Sequence, residues 1–274
     1  MRAPQRRRLK GAVLLAALVL FGWLALSVLE VSLQPVAIWT GWSLMALVFL
    51  LALFNLRKKL PFLPLGTAFG WMEFHSYAGI FCILLFFSHS GLDIPSGGLD
   101  RLLAGFFFVV AGSGLVGLAL TRTLPVRLST RGEVVLFERI PGLRRKLHEE
   151  VESLVLSSAA DVGATTIADF YAARLDDFLR KPRNFAHHLL DSSRAYRALD
   201  REIAALERYA ISREQDVISE IRERVRLKDD LDYQYSQQAV LKGWLFLHIP
   251  ATYGLLATSI LHAAIVMRFH EGLP

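Results

Sequence analysis

Four histidines lie within or at the edge of long apolar stretches, where an ionisable side chain is costly and usually has a function. These histidines are His75, His89, His248 and His262. The same interval of 14 residues separates the first two from each other and the last two from each other. Fourteen residues make almost four turns of α-helix, so both histidines of each couple lie on one helix face, about 21 Å apart along the axis.

Five apolar stretches carry these histidines or lie beside them, and each is about as long as a helix that crosses a bilayer. They cover residues 11–29, 38–56, 68–88, 102–120 and 243–267. The sequence therefore predicts five transmembrane helices. A cleaved signal peptide is a weaker interpretation of the first stretch, because no clear cleavage site of small residues follows its basic start.

Basic residues predict the orientation of these helices. Arginine and lysine cluster before the first stretch, between the second and third, and after the fourth, whereas the other two short loops hold only Arg101. The positive-inside rule then places the N-terminus in the cytoplasm and the C-terminus in the periplasm, as in a multi-pass protein of a bacterial inner membrane. The formal net charge of +6 mostly reflects this topology. We therefore expect contact with membrane lipid and none with nucleic acid.

A densely charged range, 122–241, separates the fourth apolar stretch from the fifth and has helical periodicity. The expected fold is an all-α membrane protein with five transmembrane helices and a helical cytoplasmic domain inserted between helices 4 and 5. Transmembrane helices 1–4 would occupy 1–121, and the fifth helix with the outer C-terminus 242–274. Within the insert we expect a short hairpin over 126–137 and a helix N-terminus capped by Ser212 and Gln215.

The predicted topology makes the third and fifth transmembrane helices parallel. His75 and His248 then lie near the cytoplasmic side, and His89 and His262 near the outer side. A haem iron takes two axial ligands, and imidazole serves as one. Two haem b groups, one at each level, would use all four histidines. A single compact metal site is a weaker alternative, because the histidines of one helix are about 21 Å apart. The plainest alternative is four structural histidines, each bonded to a neighbour.

The cysteine content excludes a disulfide and several kinds of cofactor site. Cys82 is the single cysteine of the sequence. An intrachain disulfide, a cysteine-ligated zinc site, an iron–sulfur cluster held by this chain alone and a covalently attached C-x-x-C-H haem are therefore excluded.

The segments FHSYAGIFCILLFFSHSG and LHIPATYGLLATSILHAAIV resemble the paired haem helices of ferric-reductase-like and NADPH-oxidase-type membrane domains. They are also similar to the di-haem core of respiratory b-type cytochromes. The resemblance covers roughly the last three membrane helices and implies that the four histidines ligate haem iron. Two features depart from it: the charged insert, and the lack of a flavin or nicotinamide domain after the fifth helix. A built-in NADPH reductase is therefore not expected.

The function expected from these features is that of a di-haem b membrane cytochrome, an electron-transfer subunit of an oxidoreductase. Electrons would pass from a quinol or a cytoplasmic redox partner subunit to an external acceptor such as ferric iron or a periplasmic cytochrome. The sequence identifies no catalytic residue. The alternative is a non-catalytic membrane anchor whose cytoplasmic helical domain recruits partners.

Smaller features have competing interpretations. The run 112–117 matches G-x-G-x-x-G, but it lies inside an apolar helix and not after a strand, so close helix packing explains it better than dinucleotide binding. Gly79 and Gly254 lie on the histidine helices, where a glycine serves a porphyrin face or ordinary helix packing equally well. Glu73 is a candidate to accept a quinol proton or orient a ligand, with a carboxylate snorkelling to the interface as the favoured alternative.

Overall fold

The computed structural model describes residues 3–33, 35–59, 67–91, 95–162 and 165–270. Its helices are α1 Ala3–Val31, α2 Val36–Lys59, α3 Ala68–Ser90, α4 Gly98–Leu128, α5 Ile140–Val162, α6 Thr165–Phe170, α7 Asp176–Arg180, α8 Phe185–Leu189, α9 Arg194–Tyr209 and α10 Ser212–His270. A 3₁₀ turn, Phe137–Arg139, precedes α5, and a π-helical turn, Tyr171–Leu175, joins α6 to α7. The described part of the chain is therefore all-helical, as expected.

The chain divides into two compact units. The first, here called the apolar unit, comprises Met1–Ala119 and Trp244–Pro274, and the second, the charged unit, comprises Leu120–Gly243. Helices α4 and α10 contribute residues to both units. Helix α10 is continuous through Gly243.

Four of the described helices are long and apolar enough to cross a membrane. They are α2 over Val36–Phe54, α3 over Phe69–Ser90, α4, and α10 through its apolar C-terminal part. Helix α1 contains a shorter apolar stretch, Leu15–Val31. Large apolar side chains lie exposed on these helices, including Phe21, Trp39, Phe69, Phe108 and Phe269. Exposed apolar surface of this extent is typical of a protein whose helices face lipid, so the helices are those of a multi-pass membrane protein.

The core of the apolar unit joins α2, α3, α4 and α10. Its buried members are Val48, Cys82, Phe86, Ala104, Phe107 and Leu255. Phe86 of α3 stacks on Phe107 of α4 with ring centroids 4.0 Å apart and an interplanar angle of 10°. Along α3 and α10 this layer lies between the two histidine positions, so packed apolar side chains separate the two levels.

Glycines allow α10 to approach α4 closely. The indole of Trp244 occupies the space that a Cβ at Gly117 would need, and its Nε1 donates to the backbone oxygen of Ser113 at 2.6 Å. A Cβ at Gly254 would lie 2.6 Å from the ring of Phe106. Gly117 and Gly254 therefore serve helix packing.

The charged unit packs α5, α6, α7, α9 and the N-terminal part of α10 around a second core. Its fully buried members are Val151, Leu175, Leu179, Ile203, Ile218 and Val225. Helical structure ends before Pro182: α7 ends at Arg180, and Lys181 is extended. Helix α9 begins directly after Ser193.

The hairpin predicted over 126–137 is wrong. Helix α4 continues to Leu128, and the described residues after it form turns and no strand. Side-chain amides of α10 replace the missing partner strand: Gln234 Oε1 accepts from the Val135 N–H at 2.7 Å, and Gln238 Nε2 donates to the Val135 carbonyl at 2.8 Å. Because these bonds satisfy the backbone N–H and C=O of Val135, this residue needs no hydrogen bonds to a neighbouring β-strand.

The capping interaction of α10 lies one residue earlier than predicted. Glu214 Oε2 accepts from the backbone N–H of Ile211 at 3.1 Å. Gln215 instead donates its side-chain amide to the carbonyl of Ala210 at 3.0 Å. The reciprocal acid of the capping box is therefore Glu214, and Ser212 is already the first helical residue.

Candidate cofactor-binding site

The structure brings the four membrane histidines together in two pairs, each joining α3 to α10. The rings of His75 and His248 have centroids 6.5 Å apart and an interplanar angle of 70°. Those of His89 and His262 have centroids 6.4 Å apart and an angle of 88°. The near-identical separations follow from the matched 14-residue spacing on two parallel helices. The partners are those expected from the sequence, whereas haem binding itself stays a prediction.

The ring separation distinguishes two kinds of histidine pair. Two imidazoles on opposite sides of one metal ion, with metal–nitrogen bonds of about 2 Å, have centroids about 6 Å apart. Two imidazoles joined directly by an N–H···N hydrogen bond along the same axis have centroids about 5 Å apart. The separations of 6.5 Å and 6.4 Å exceed that of a direct hydrogen bond and leave space for the first arrangement. The large interplanar angles are compatible with it, because each ring can rotate about its own metal–nitrogen bond.

Hydrogen bonds to Nδ1 orient His89 and His262, which are called the outer pair here after their predicted level in the membrane. His89 Nδ1 donates to the carbonyl oxygen of Ala37 at 2.9 Å, and Thr40 Oγ1 lies 3.2 Å away. His262 Nδ1 lies 3.0 Å from Asp100 Oδ1. A carbonyl and a carboxylate only accept, so these contacts place a proton on Nδ1 and leave the Nε2 lone pair for a metal.

His248, which belongs with His75 to the inner pair, also has its proton on Nδ1. The hydroxyl of Ser113 donates its single proton to the Val110 carbonyl at 3.0 Å. With the proton assigned to that carbonyl, the Ser113 oxygen accepts from His248 Nδ1, which lies 2.8 Å away. The indole of Trp244 stacks on the His248 ring with centroids 5.2 Å apart and an interplanar angle of 23°. A hydrogen bond and a stacked ring thus fix this imidazole.

Open space lies beside the inner pair. His75 contacts the ring of Phe54, with centroids 5.4 Å apart. One turn further along α3, a Cβ at Gly79 would meet no heavy atom within 4 Å. A Cβ at Gly114 would lie 3.8 Å from His248 Cε1. The backbone at Gly79 therefore faces open space, whereas Gly114 is in ordinary contact distance of the His248 ring.

The outer pair borders a cavity of about 370 Å³. Both His89 and His262 line it, together with apolar side chains of α2, α3, α4 and α10 that include Trp42, Met45, Phe107 and Val266. A volume of this size lies within the range of sites for organic ligands, about 300–1,000 Å³. At Gly41 a Cβ would lie 2.8 Å from His89 Cε1, so this glycine lets α2 pass close to the ring.

A metal centre with three or more protein ligands is not seen: no group of three His, Cys, Asp or Glu side chains comes together within the described ranges. Haem requires only two axial ligands from the chain. The residues that fit such a group are the two histidine pairs, with an apolar cavity beside the outer one.

Sequence analysis did not identify the residues that orient the histidines. Asp100 is in the first turn of α4, and Ser113 lies 13 residues further along the same helix. Thr40 of α2 contacts His89 of α3, and Trp244 stacks on His248 one turn along α10. An acidic residue at the outer end of an apolar helix is a usable signal for Asp100. Trp244 lies four residues before His248 on the same helix, a spacing that is also visible in the sequence, whereas Ser113 and Thr40 become recognisable only from tertiary contacts.

The charged unit contains a buried ion pair of its own. Lys228 Nζ donates to Asp232 Oδ2 at 2.5 Å and to the Lys181 carbonyl at 2.9 Å. Asp232 also accepts from the Arg183 backbone N–H at 2.9 Å. Burial lowers the pKa of Lys228 to about 8 and raises the pKa of Asp232, because a dry environment disfavours both charges.

The fold and the site define a class: a helical multi-pass membrane protein with paired membrane histidines. Comparison with known proteins gives no match to a family model, a curated protein or a solved structure. The functional assignment therefore rests on the geometry of the chain itself.

Proposed function

We propose that the protein is a di-haem b membrane cytochrome that carries electrons across the membrane. The observation that supports this most directly is the pair of matched ring separations, 6.5 Å and 6.4 Å, on two helices. Four unrelated structural histidines would have no reason to share one 14-residue interval on two helices, and the two matched separations follow from that interval. The hydrogen bonds of His89, His248 and His262 use Nδ1, so their Nε2 atoms are left for iron.

In this proposal His75 and His248 hold the inner haem, and His89 and His262 hold the outer one. Bound haem supplies one-electron chemistry, and the protein supplies position and electrostatics. The stacked rings of Phe86 and Phe107 lie in the apolar layer between the two levels. This layer would give the electron path a low-dielectric surrounding.

The proposed topology has five spans, with the apolar stretch of α1 as the first. The N-terminus and the charged unit lie in the cytoplasm of a bacterial cell, and the C-terminus in the periplasm. Electrons enter at the inner haem from a quinol or a cytoplasmic redox subunit. They leave from the outer haem to ferric iron or a periplasmic cytochrome, as the resemblance to ferric-reductase-type domains suggests.

The experiment that tests the proposal is optical. The full chain, expressed with haem supplied and purified in detergent, should show a b-type α-band in its reduced-minus-oxidised spectrum. Chemical haem determination should give two haems per chain. A purified, folded chain that shows no such band would overturn the proposal in favour of the membrane anchor.

Single substitutions test the pairing. His75→Ala and His248→Ala should lose one haem, and His89→Ala and His262→Ala should lose the other. His187→Ala is the matched control, since His187 is an exposed histidine of the charged unit, and it should retain both haems. Loss of the same haem from His75→Ala and His262→Ala would contradict the pairing.

A further inference from the structure

The three Nδ1 hydrogen bonds differ in the charge of the acceptor. His89 donates to a backbone carbonyl and His248 to the hydroxyl of Ser113, and both of these acceptors are neutral. His262 faces the carboxylate of Asp100 at 3.0 Å. Among these three ligands, His262 is the one whose Nδ1 faces a charged acceptor.

The half-exposed carboxylate of Asp100 lies at the end of α4 that favours a negative charge. Asp100 is the acidic residue in the first turn of this helix, where the helix dipole favours a negative charge. Its second oxygen, Oδ2, lies against Gly97, where a Cβ would be only 2.7 Å away. Arg101 donates to the carbonyl of Gly97 at 3.4 Å, and within the described residues it forms no ion pair with Asp100.

The chemical effect of such a contact is well defined. A carboxylate that accepts the Nδ1 proton makes the imidazole more basic and a stronger donor to the metal through Nε2. A stronger donor and a nearby negative charge both favour the oxidised, more positive iron. The reduction potential of that iron falls. A hydroxyl or an amide carbonyl has the same geometry but a weaker effect, because it carries no net charge.

Resting on the proposed function, we infer that Asp100 is a positioning residue for His262 that makes the outer haem the lower-potential one of the two. A first electron entering the chain then resides on the inner haem. The outer haem is reduced only when further electrons arrive, so an external acceptor meets a strongly reducing site.

A redox titration of the purified full chain, followed at the α-band, tests this inference. Asp100→Asn keeps an acceptor oxygen but removes the charge, so the lower-potential transition should shift to higher potential while the other stays in place. Asp100→Glu should retain the wild-type order. His89→Ala, which lacks the outer haem, identifies the transition that belongs to the inner one.

Two further variants act as controls. Gly97→Ala forces Oδ2 away from its place and should shift the same transition in the same direction as Asp100→Asn. Ser27→Ala on α1 should leave both transitions in place, because the Ser27 hydroxyl donates to the Trp23 carbonyl of its own helix.

Three results would overturn it. The first is an unchanged lower-potential transition in Asp100→Asn with both haems bound. The second is a shift confined to the transition that His89→Ala retains. The third is loss of the outer haem from both Asp100→Asn and Asp100→Glu, since the residue would then act on haem retention alone. Absence of haem from the wild-type chain is a different result, because it removes the proposed function as well.

Discussion

At the scale of single residues, the Nδ1 contacts decide which nitrogen of each histidine can bind a metal. His248 illustrates this, because the one hydroxyl proton of Ser113 is already given to Val110 and the oxygen can only accept. The resulting tautomer presents Nε2 without any need for a charged neighbour. The orientation of the His248 ring is therefore set by Ser113, a residue that does not itself bind the metal.

Ser113→Ala should weaken binding of the inner haem. The substitution removes the acceptor of His248 Nδ1, so the ring loses its fixed tautomer, and losses of this kind reduce metal affinity about 10–100-fold. Haem titration of the apo-protein, followed at the absorption band that the inner haem contributes, measures this. Ser27→Ala is the control, because Ser27 makes a similar bond to its own helix, on α1, and contacts no histidine. Equal affinities for the two variants would refute the role of Ser113.

Asp232→Asn should destabilise the charged unit by about 3–5 kcal/mol, because it leaves the ammonium of Lys228 buried without its carboxylate. Urea titration of the full chain in detergent, with proteolysis within the charged unit as the signal, measures the change. Asp216→Asn on the same helix is exposed and should stay within about 0.5 kcal/mol of wild type. Similar unfolding midpoints for the two variants would show that the ion pair contributes nothing.

The residue scale also shows what the sequence could reveal about the site. The interval between His75 and His89 repeats on α10, and a repeat of this kind is visible without coordinates. Asp100 and Ser113 were not identified, since their contacts depend on how α4 is rotated against α10. Periodicity along one helix does not specify that rotation.

At the scale of helices, small residues control how closely α4 and α10 approach. Gly117 faces the indole of Trp244, whereas a Cβ at Gly112 would meet nothing within 4 Å. Two glycines of one sequence motif therefore have different structural consequences. The motif itself is unrelated to nucleotide binding because it lies inside an apolar helix.

Gly117→Ala should destabilise the apolar unit by about 1–3 kcal/mol, because the new Cβ overlaps the Trp244 ring and forces it away from His248. Gly112→Ala, in open space on the same helix, should be neutral or stabilising by up to about 1 kcal/mol. Thermal unfolding of both variants in detergent provides the comparison. The same loss of stability in both would show that the Trp244 contact is unimportant.

Helix positions could be predicted well from apolar runs and poorly from local turn signals. The apolar runs located α2, α3 and α4, because a lipid-crossing helix needs a length that few other elements need. The predicted hairpin over 126–137 failed for a tertiary reason. Glutamines of α10 supply the hydrogen bonds that a second strand would have supplied, and no local pattern indicates that.

At the scale of the whole molecule, the sequence separates into an apolar unit and a charged unit that share two helices. Each unit has its own core, one of aromatic and aliphatic residues around Phe86 and Phe107, the other around α5, α7 and α10. Charge sorting along the sequence indicated this division, since charged side chains are excluded from lipid-facing helices. Which side of the membrane each unit faces stays a prediction.

Cysteine labelling can test that topology. Ser157→Cys in the charged unit and Ser96→Cys before α4 place thiols on opposite sides of the membrane in the proposed topology. In intact spheroplasts an impermeant maleimide should label Ser96→Cys, and it should label Ser157→Cys only after permeabilisation. Labelling of the wild-type chain measures the background signal from Cys82, which is buried. Labelling of Ser157→Cys in intact spheroplasts would reverse the proposed orientation.

The two histidine pairs join helices that are far apart in the chain. His89 of α3 and His248 of α10 are separated by more than half of the sequence, including the whole charged unit. During translation, the ribosome must finish that unit before either partner on α10 emerges. Neither pair can close before that point, so cofactor delivery would be a late event in biogenesis, after the apolar part of α10 has entered the bilayer.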